Sequence, residues 1–192
     1  MLSGKVGIVA LLASGLAAQA EVITFGTGDG AAAPPSFTEG SFTFTRFAGT
    51  GACFVPDGNP ARSFWLGCLG ANIGDAYDIT RTGGGTFTFT QFEISSLKGV
   101  GSDTMRFRGQ LGGFFTEDLP SVASSSVSWV TITTGFSGPI DLLRMELSAF
   151  GSESLLLDNL ELTPSDSAVP EPSMALPVGL ALLAGGYLRR RR

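Results

Sequence analysis

Alternation of phenylalanine with hydroxylated residues is the feature that most constrains this chain of 192 residues. The segment SFTFTRF occupies 41–47, and TFTFTQF occupies 86–92. Such alternation gives a strand one apolar and one polar face, and Phe and Thr both favour strands. The apolar phase changes at Phe47 and at Phe92, which predicts a β-bulge or a change of face in each strand.

Seven further segments are predicted to be strands, and glycine-rich turns separate many of them. They are 21–25, 76–80, 92–97, 104–111, 127–133, 142–150 and 155–162. Short strands joined by such turns are typical of two-layered β proteins. We therefore predict an all-β fold, a single β-sandwich or jelly roll, with a closed barrel as the alternative. Residues 127–133 are apolar on both faces, which predicts a central strand.

The first 20 residues have the features of a secretory signal peptide. Lys5 precedes an apolar stretch at 6–18, and Ala18 and Ala20 form a small-x-small cleavage pattern. Cleavage after Ala20 would start the mature chain at Glu21, whereas an uncleaved membrane anchor is the alternative. The predicted domains are the signal peptide at 1–20, the sandwich at 21–165 and a C-terminal segment at 166–192.

The C-terminal segment contains a short apolar stretch at 174–188 that ends in Arg189, Arg190, Arg191 and Arg192. As a helix it spans roughly 22 Å, against about 30 Å for a hydrocarbon core. It can still insert if the membrane thins and the arginines snorkel. Cytoplasmic arginines would place the body outside the inner membrane. A buried C-terminal helix is the alternative.

Four residues ahead of this stretch complete a recognisable order of features. Val169, Pro170, Glu171 and Pro172, the apolar stretch and the arginine cluster together resemble the PEP-CTERM sorting signal of Gram-negative bacteria. The resemblance covers 168–192 alone. It implies that an exosortase, a membrane transpeptidase-like enzyme, cuts the tail near the Pro-Glu-Pro motif. The body would pass from the inner membrane to the cell surface or to an extracellular matrix of exopolysaccharide, as in a biofilm.

The body carries a second, looser resemblance. The segment LLLDNLEL at 155–162 and the strand around residue 93 resemble the jelly-roll body common in PEP-CTERM proteins. Those bodies are similar in outline to carbohydrate-binding modules, so carbohydrate binding is an implied alternative function. The matching residues are Phe92, Ile94, Leu157, Asp158, Asn159 and Leu160.

Asp158 stands out within this segment because it shares its strand phase with Leu156, Leu160 and Leu162. Regular alternation would point its carboxylate into the core. A buried carboxylate needs hydrogen bonds or a cation. We therefore expect Asp158 either to cap backbone N–H groups of a neighbouring loop or to hold a structural Ca²⁺. No other cofactor is predicted.

Cys53 and Cys68 are the two cysteines of the chain. In an exported protein such a pair is expected to form a disulfide. A metal or redox pair is the alternative, but the chain has no histidine and the spacing is not CxxC. Trp65 lies between the two cysteines and is a candidate glycan contact, or else a lid over one end of the sandwich.

The available chemistry favours binding over catalysis. The lack of histidine excludes the Ser-His-Asp and Cys-His systems. A hydrolase of polysaccharides needs only two carboxylates, but no pair among the acidic residues is singled out by its surroundings. Arg106 and Arg108 are predicted to face outward together, either towards an acidic polysaccharide or as a solvated face.

The sequence therefore predicts an exported, non-enzymatic surface or matrix protein. Its predicted partners are an exosortase-type enzyme, the inner membrane and a polysaccharide. A net charge of −5 argues against nucleic acid. A carbohydrate-binding module proper and a polysaccharide-active hydrolase are the alternative functions.

Overall fold

Twelve β-strands build the part of the chain that the computed structural model describes, residues 19–26, 31–49, 51–56, 62–66, 68, 73–97, 103–149 and 155–165. No helix long and apolar enough to cross a membrane occurs among these residues. The predictions for 1–18 and 166–192 lie outside them. The strands are β1 (Glu21–Ile23), β2 (Ser36–Glu39), β3 (Phe42–Ala48), β4 (Ala52–Val55), β5 (Ser63–Leu66), β6 (Ala76–Arg81), β7 (Thr86–Ser96), β8 (Thr104–Leu111), β9 (Phe114–Val122), β10 (Val130–Thr133), β11 (Leu142–Ala149) and β12 (Leu155–Ser165).

The strands form two six-stranded antiparallel sheets. Sheet A has the order β10-β7-β12-β5-β4, with β1 also paired to β12, and sheet B has the order β2-β3-β6-β11-β8-β9. Within them, β1-β12-β7-β10 and β6-β11-β8-β9 follow the wound strand order of an eight-stranded jelly roll. The predicted all-β sandwich is confirmed.

The core between the sheets is rich in phenylalanine, as the alternation predicts. Phe42 and Phe44 of β3 and Phe87 and Phe89 of β7 are fully buried. The threonines between them lie on the opposite faces of the strands. Burying one such ring stabilises the fold by about 1.5–3 kcal/mol, so the phase of the phenylalanines sets which face of each strand points inward.

Both predicted changes of phase are confirmed as irregularities in strand pairing. The register of β3 against β6 shifts between Arg46 and Ala48, and the intervening Phe47 is 59% exposed. In β7 the register against β12 shifts beside Thr90, so that Phe89 and Phe92 are both buried. In β7 the bulge keeps an odd-spaced pair of rings in one core, whereas in β3 the second ring, Phe47, stays on the outward side.

Other strand predictions need correction. Residues 127–133 do not form a central strand: β10 begins at Val130 and lies at the edge of sheet A, with three of its four residues exposed. The apolar residues on both faces of this segment were therefore misleading, because no residue of the strand is fully buried. The strands β2, β4, β5 and β9 were not predicted, because they are short or, in β9, carry acidic residues and a proline.

The predicted direction of Asp158 is also wrong. Asn159 has a positive φ of 47°, and the register of β12 against β7 shifts just after Asp158. This bulge changes the phase, so Leu157 and Leu160 face the core while Leu156 stays outside the core cluster. Asp158 is fully buried, but on the outward side of sheet A.

Candidate functional site

The outward side of sheet B carries the densest array of charged groups among the described residues. Cross-strand register places Asp78 of β6 beside Arg144 of β11, then Arg108 of β8, then Asp118 of β9. Neighbouring strands lie about 4.8 Å apart, so this row of charges crosses roughly 14 Å of the sheet. Because successive residues of a strand alternate in direction, the apolar neighbours of these residues fill the core.

Three guanidinium–carboxylate pairs tie this face together. Arg144 binds Asp78 through two hydrogen bonds, with Nε 2.7 Å from Oδ1 and Nη2 2.8 Å from Oδ2. Arg106 pairs with Asp118 in the same two-point manner, with Nε 2.9 Å from Oδ1. Arg108 donates from Nη2 to Glu146 at 2.7 Å. Bidentate pairs hold the planes of both groups in a defined orientation.

Hydrogen bonds in these pairs shift the pKa of Arg106, Asp118 and Arg144. The hydrogen bond from Arg106 lowers the pKa of the Asp118 carboxyl below its ordinary value, and the same bond raises the pKa of Arg106. The hydrogen bond to Asp78 raises the pKa of Arg144. These three groups are therefore charged near neutral pH.

Aromatic rings lie against two of the guanidinium groups. The Cζ atom of Arg108 lies 4.2 Å from the ring centroid of Phe115, and that of Arg144 lies 3.3 Å from the centroid of Phe47. Phe115 is 47% exposed. An exposed ring beside a fixed cation gives this face an apolar platform next to hydrogen-bonding groups.

Phe115 and the Arg106–Asp118 pair border a shallow open cleft of about 260 Å³. Thr116 and Glu117 complete its lining with Arg108. The carboxylate of Glu117 points to the other side of the sheet, because its residue pairs with the core-facing Gly109. There its Oε1 accepts hydrogen bonds from the N–H and hydroxyl of Ser137 and from the N–H of Gly138. The cleft therefore combines one aromatic surface, two guanidinium groups, one carboxylate and a hydroxyl on fixed strands.

The predicted outward direction of Arg106 and Arg108 agrees with this geometry. The partners from β9 were missed, since the segment FFTEDLPSV does not alternate and holds a proline. The one available signal was the pair of adjacent phenylalanines after Gly112 and Gly113, a combination typical of a hairpin turn.

Trp65 lies on the other sheet and is not brought near these arginines. It is half-buried on the outward side of β5, in register with Cys53 of β4 and Leu156 of β12. The sulfur atoms of Cys53 and Cys68 are bonded, with Cα atoms 5.8 Å apart, so the predicted disulfide is present. The role of Trp65 as a glycan contact stays a prediction.

Asp158 accepts a hydrogen bond from the backbone N–H of Asn159 at 2.8 Å. Its cross-strand neighbour is Glu93, which accepts hydrogen bonds from the Asn159 side chain and from Thr131. Within the described ranges, no three potential metal-ligating side chains are grouped to hold an ion. This donor is the next residue of β12 itself, so the bond is not the expected capping of a neighbouring loop, and both expectations for Asp158 stay predictions.

No protein-family model matches the chain, and no curated protein matches it. Solved structures with some likeness are three variants of a family 29 carbohydrate-binding module. They are 16%, 15% and 14% identical to this chain, with TM-scores of 0.36, 0.36 and 0.35. The matches cover 75%, 76% and 76% of this chain and 91%, 92% and 91% of those proteins. The fold assignment accordingly rests on the strand pairing itself.

Proposed function

We propose that this chain is an exported, non-catalytic polysaccharide-binding protein of the cell surface or extracellular matrix, and that it binds glycan on the outward side of sheet B. The observation that carries the proposal is the cleft in which the exposed ring of Phe115 adjoins Arg108 and the Arg106–Asp118 pair. Ligand sites of this kind need an apolar surface with a few fixed polar groups.

The chemistry of the cleft suits a sugar ring. One face of a pyranose is largely C–H, and it can lie on the exposed side of Phe115. Its vicinal hydroxyls can donate to Asp118 and accept from Arg106, since existing hydrogen bonds already hold these two groups in fixed planes. The fixed charges of the Arg106–Asp118 pair and the absence of histidine favour binding over general acid–base chemistry.

The charge balance favours a neutral polymer over an acidic one. Each of the three arginines on this face is already hydrogen-bonded to a carboxylate. An anionic glycan would have to displace Asp118 or Glu146, and the chain as a whole is negatively charged. Repulsion from those carboxylates would slow and weaken its binding.

The sorting route forms the second part of the proposal and rests on the sequence of the two ends. We infer that signal peptidase cuts after Ala20 and that the apolar tail holds the body at the inner membrane. An exosortase-type enzyme then acts near residues 169–172. The Cys53–Cys68 disulfide supports an oxidising, extracytoplasmic location.

Affinity electrophoresis of the full chain in mild detergent tests the binding site, with neutral hexose polymers and polyuronates in the gels. We expect at least one neutral polymer to slow migration, and Phe115→Ala to abolish the effect. Phe47→Ala is the matched control, because Phe47 also lies exposed against an arginine but outside the cleft. Retention of binding in Phe115→Ala with loss in Trp65→Ala would move the site to sheet A.

A separate measurement tests the sorting route. The intact mass of the protein recovered from its native cells should fit a chain that begins at Glu21 and ends near residues 169–172. A chain that still ends at Arg192 in the membrane fraction would contradict cleavage of the tail. Release of reducing sugar ends from the bound polymer would contradict the non-catalytic assignment.

A further inference from the structure

The tip of the β8–β9 hairpin is an exposed apolar feature that glycan binding does not use. Leu111 ends β8 and Phe114 begins β9, with Gly112 and Gly113 forming the turn between them. Phe114 is 77% exposed, the highest value among the large apolar side chains described, and Leu111 is 40% exposed. These two residues are a cross-strand pair, so they present one continuous apolar surface.

The tip is held rigidly. Both glycines have positive φ, 61° and 84°, as a tight two-residue hairpin turn requires. The N–H of Gly112 donates to Oδ2 of Asp141 at 2.7 Å, which joins the turn to the start of β11. An exposed apolar pair on a fixed turn loses little conformational entropy when another surface covers it.

Strand register places this tip at the end of the sandwich where the chain leaves the described body. Ser165, the last residue of β12, faces Thr86, which follows the β6–β7 turn. At the same end, Leu142 of β11 faces both Thr80 of β6 and Gln110 of β8. The first strand also begins here, because Glu21 faces Leu162. Both chain exits and the β8–β9 tip thus share one end.

The length of the chain after Ser165 limits how far this end can lie from the apolar tail. Residues 166–173 separate Ser165 from the apolar stretch at 174–188. Eight residues reach at most about 28 Å when fully extended. If the stretch is in a membrane, as the sorting route requires, the chain exit lies within about 28 Å of it.

We propose that Leu111 and Phe114 contact the lipid bilayer while the tail anchors the body, so that the sandwich stands with its exit end on the membrane. This inference rests on the proposed sorting route. A short tether raises the effective concentration of the tip at the surface, so a weak apolar contact suffices. The glycan cleft lies on a different side of the hairpin, because Phe115 pairs with Gln110 on the outward face, whereas Leu111 and Phe114 pair on the other side of the strands.

Carboxylates outnumber the cationic groups described at this end, where Arg81 ends β6, and this balance favours a zwitterionic lipid surface. Glu21 and Glu39 lie near the exits, where their carboxylates accept hydrogen bonds from Ser41 and from the N–H groups of Thr24 and Phe25. Asp141 lies directly behind the tip. Anionic headgroups would repel these carboxylates, so apolar insertion of the tip should weaken as anionic lipid is added.

Tryptophan reporters test the contact in the full chain reconstituted into phosphatidylcholine vesicles with brominated acyl chains. We expect a Phe114→Trp variant to show a blue-shifted emission and several-fold stronger bromine quenching than a Phe47→Trp variant. Phe47 is the matched control, since it is exposed on the same sheet near the opposite end. The unsubstituted chain corrects for Trp65 and Trp129.

The outcomes separate the two proposals. Vesicle binding of the Phe114→Trp variant without added quenching would overturn the tip contact and leave the sorting route intact. A full chain that fails to sediment with the vesicles would overturn both. Hydrogen exchange of the unsubstituted chain gives a readout without mutation: amides around 110–115 should exchange more slowly when vesicles are present, and an unchanged rate would contradict the contact.

Discussion

The outward sides of the two sheets differ, although both sheets are built from the same alternation. On sheet A, Ser95, Leu156 and Asp158 point away from the core and are nevertheless buried, with exposures of 3% or less. On sheet B, outward positions hold Arg106 and Asp118, which are half-buried or exposed. Alternation thus tells which residues avoid the core, but not which of them meet solvent. The outward side of sheet B is proposed as the binding face because its polar side chains are accessible to solvent.

Removal of the disulfide of sheet A should have the largest effect on stability. The bond closes a loop across a sequence separation of 15 residues. In the chain-entropy model, its loss lowers the free energy of unfolding by about 3 kcal/mol. Urea denaturation of the Cys53→Ser/Cys68→Ser variant measures this change. Reduction of the unsubstituted chain should lower it equally, and an unchanged midpoint in both samples would contradict a structural role.

Two leucines on central strands provide the sharpest test of the comparison. Leu156 is 2% exposed on the outward side of β12, whereas Leu142 is only half-buried on the outward side of β11. Leu156→Ala should therefore lower the free energy of unfolding by about 2–3 kcal/mol, and Leu142→Ala by about 1 kcal/mol or less. Equal losses in denaturant melts would mean that the two outward sides are equally covered.

The arginine–carboxylate pairs of sheet B should contribute to the free energy of unfolding in proportion to their burial. Arg144 and Asp78 are 13% and 15% exposed, so Arg144→Ala leaves a largely buried carboxylate without this partner. We expect a loss of about 1–2 kcal/mol in the free energy of unfolding. Arg106→Ala removes a more exposed pair and should leave stability nearly unchanged. The idea fails if the second variant is the less stable one.

The smallest expected effect is on the acid titration of Asp118. The folded-state pKa is lowered by Arg106, so the pair contributes stability above the ordinary Asp pKa of about 3.9. That contribution is lost as the pH falls through the lowered folded-state pKa. Carboxyl NMR should show the pKa of Asp118 rising in Arg106→Ala. The same titration in Arg144→Ala is the control, and equal pKa values in Arg106→Ala and the unsubstituted chain would refute the coupling.

Local pattern was enough to predict much of the framework. The buried phenylalanines of β3 and β7, the bulge between Phe89 and Phe92, and the disulfide all follow from neighbouring residues or from chemistry that needs no coordinates. Residues 104–111 were predicted as a strand with the bounds that β8 has. The alternation of apolar and polar residues is a local pattern, so the sequence predicts a strand wherever that strand is long and regular.

The rest depended on contacts between segments far apart in the chain. Asp158 turns to the outward side because of one bulge at Asn159, and β10 is an edge strand because nothing among the described strands pairs beyond it. The cleft joins residues of β8 to residues of β9, a strand without a clear pattern. The place of a strand within its sheet, and the burial of the outward side of that sheet, are both set by segments that are distant in the sequence.

The sequence by itself therefore determined the all-β class, the phase of the main strands and the covalent link between Cys53 and Cys68. Tertiary structure alone decided which sheet offers an open face, which arginine meets which carboxylate, and which hairpin shares an end with the chain exits. The physical reason is the distance in sequence over which each property is determined. Alternation and cysteine chemistry are local, whereas solvent exposure and ion pairing depend on strands that meet only after folding.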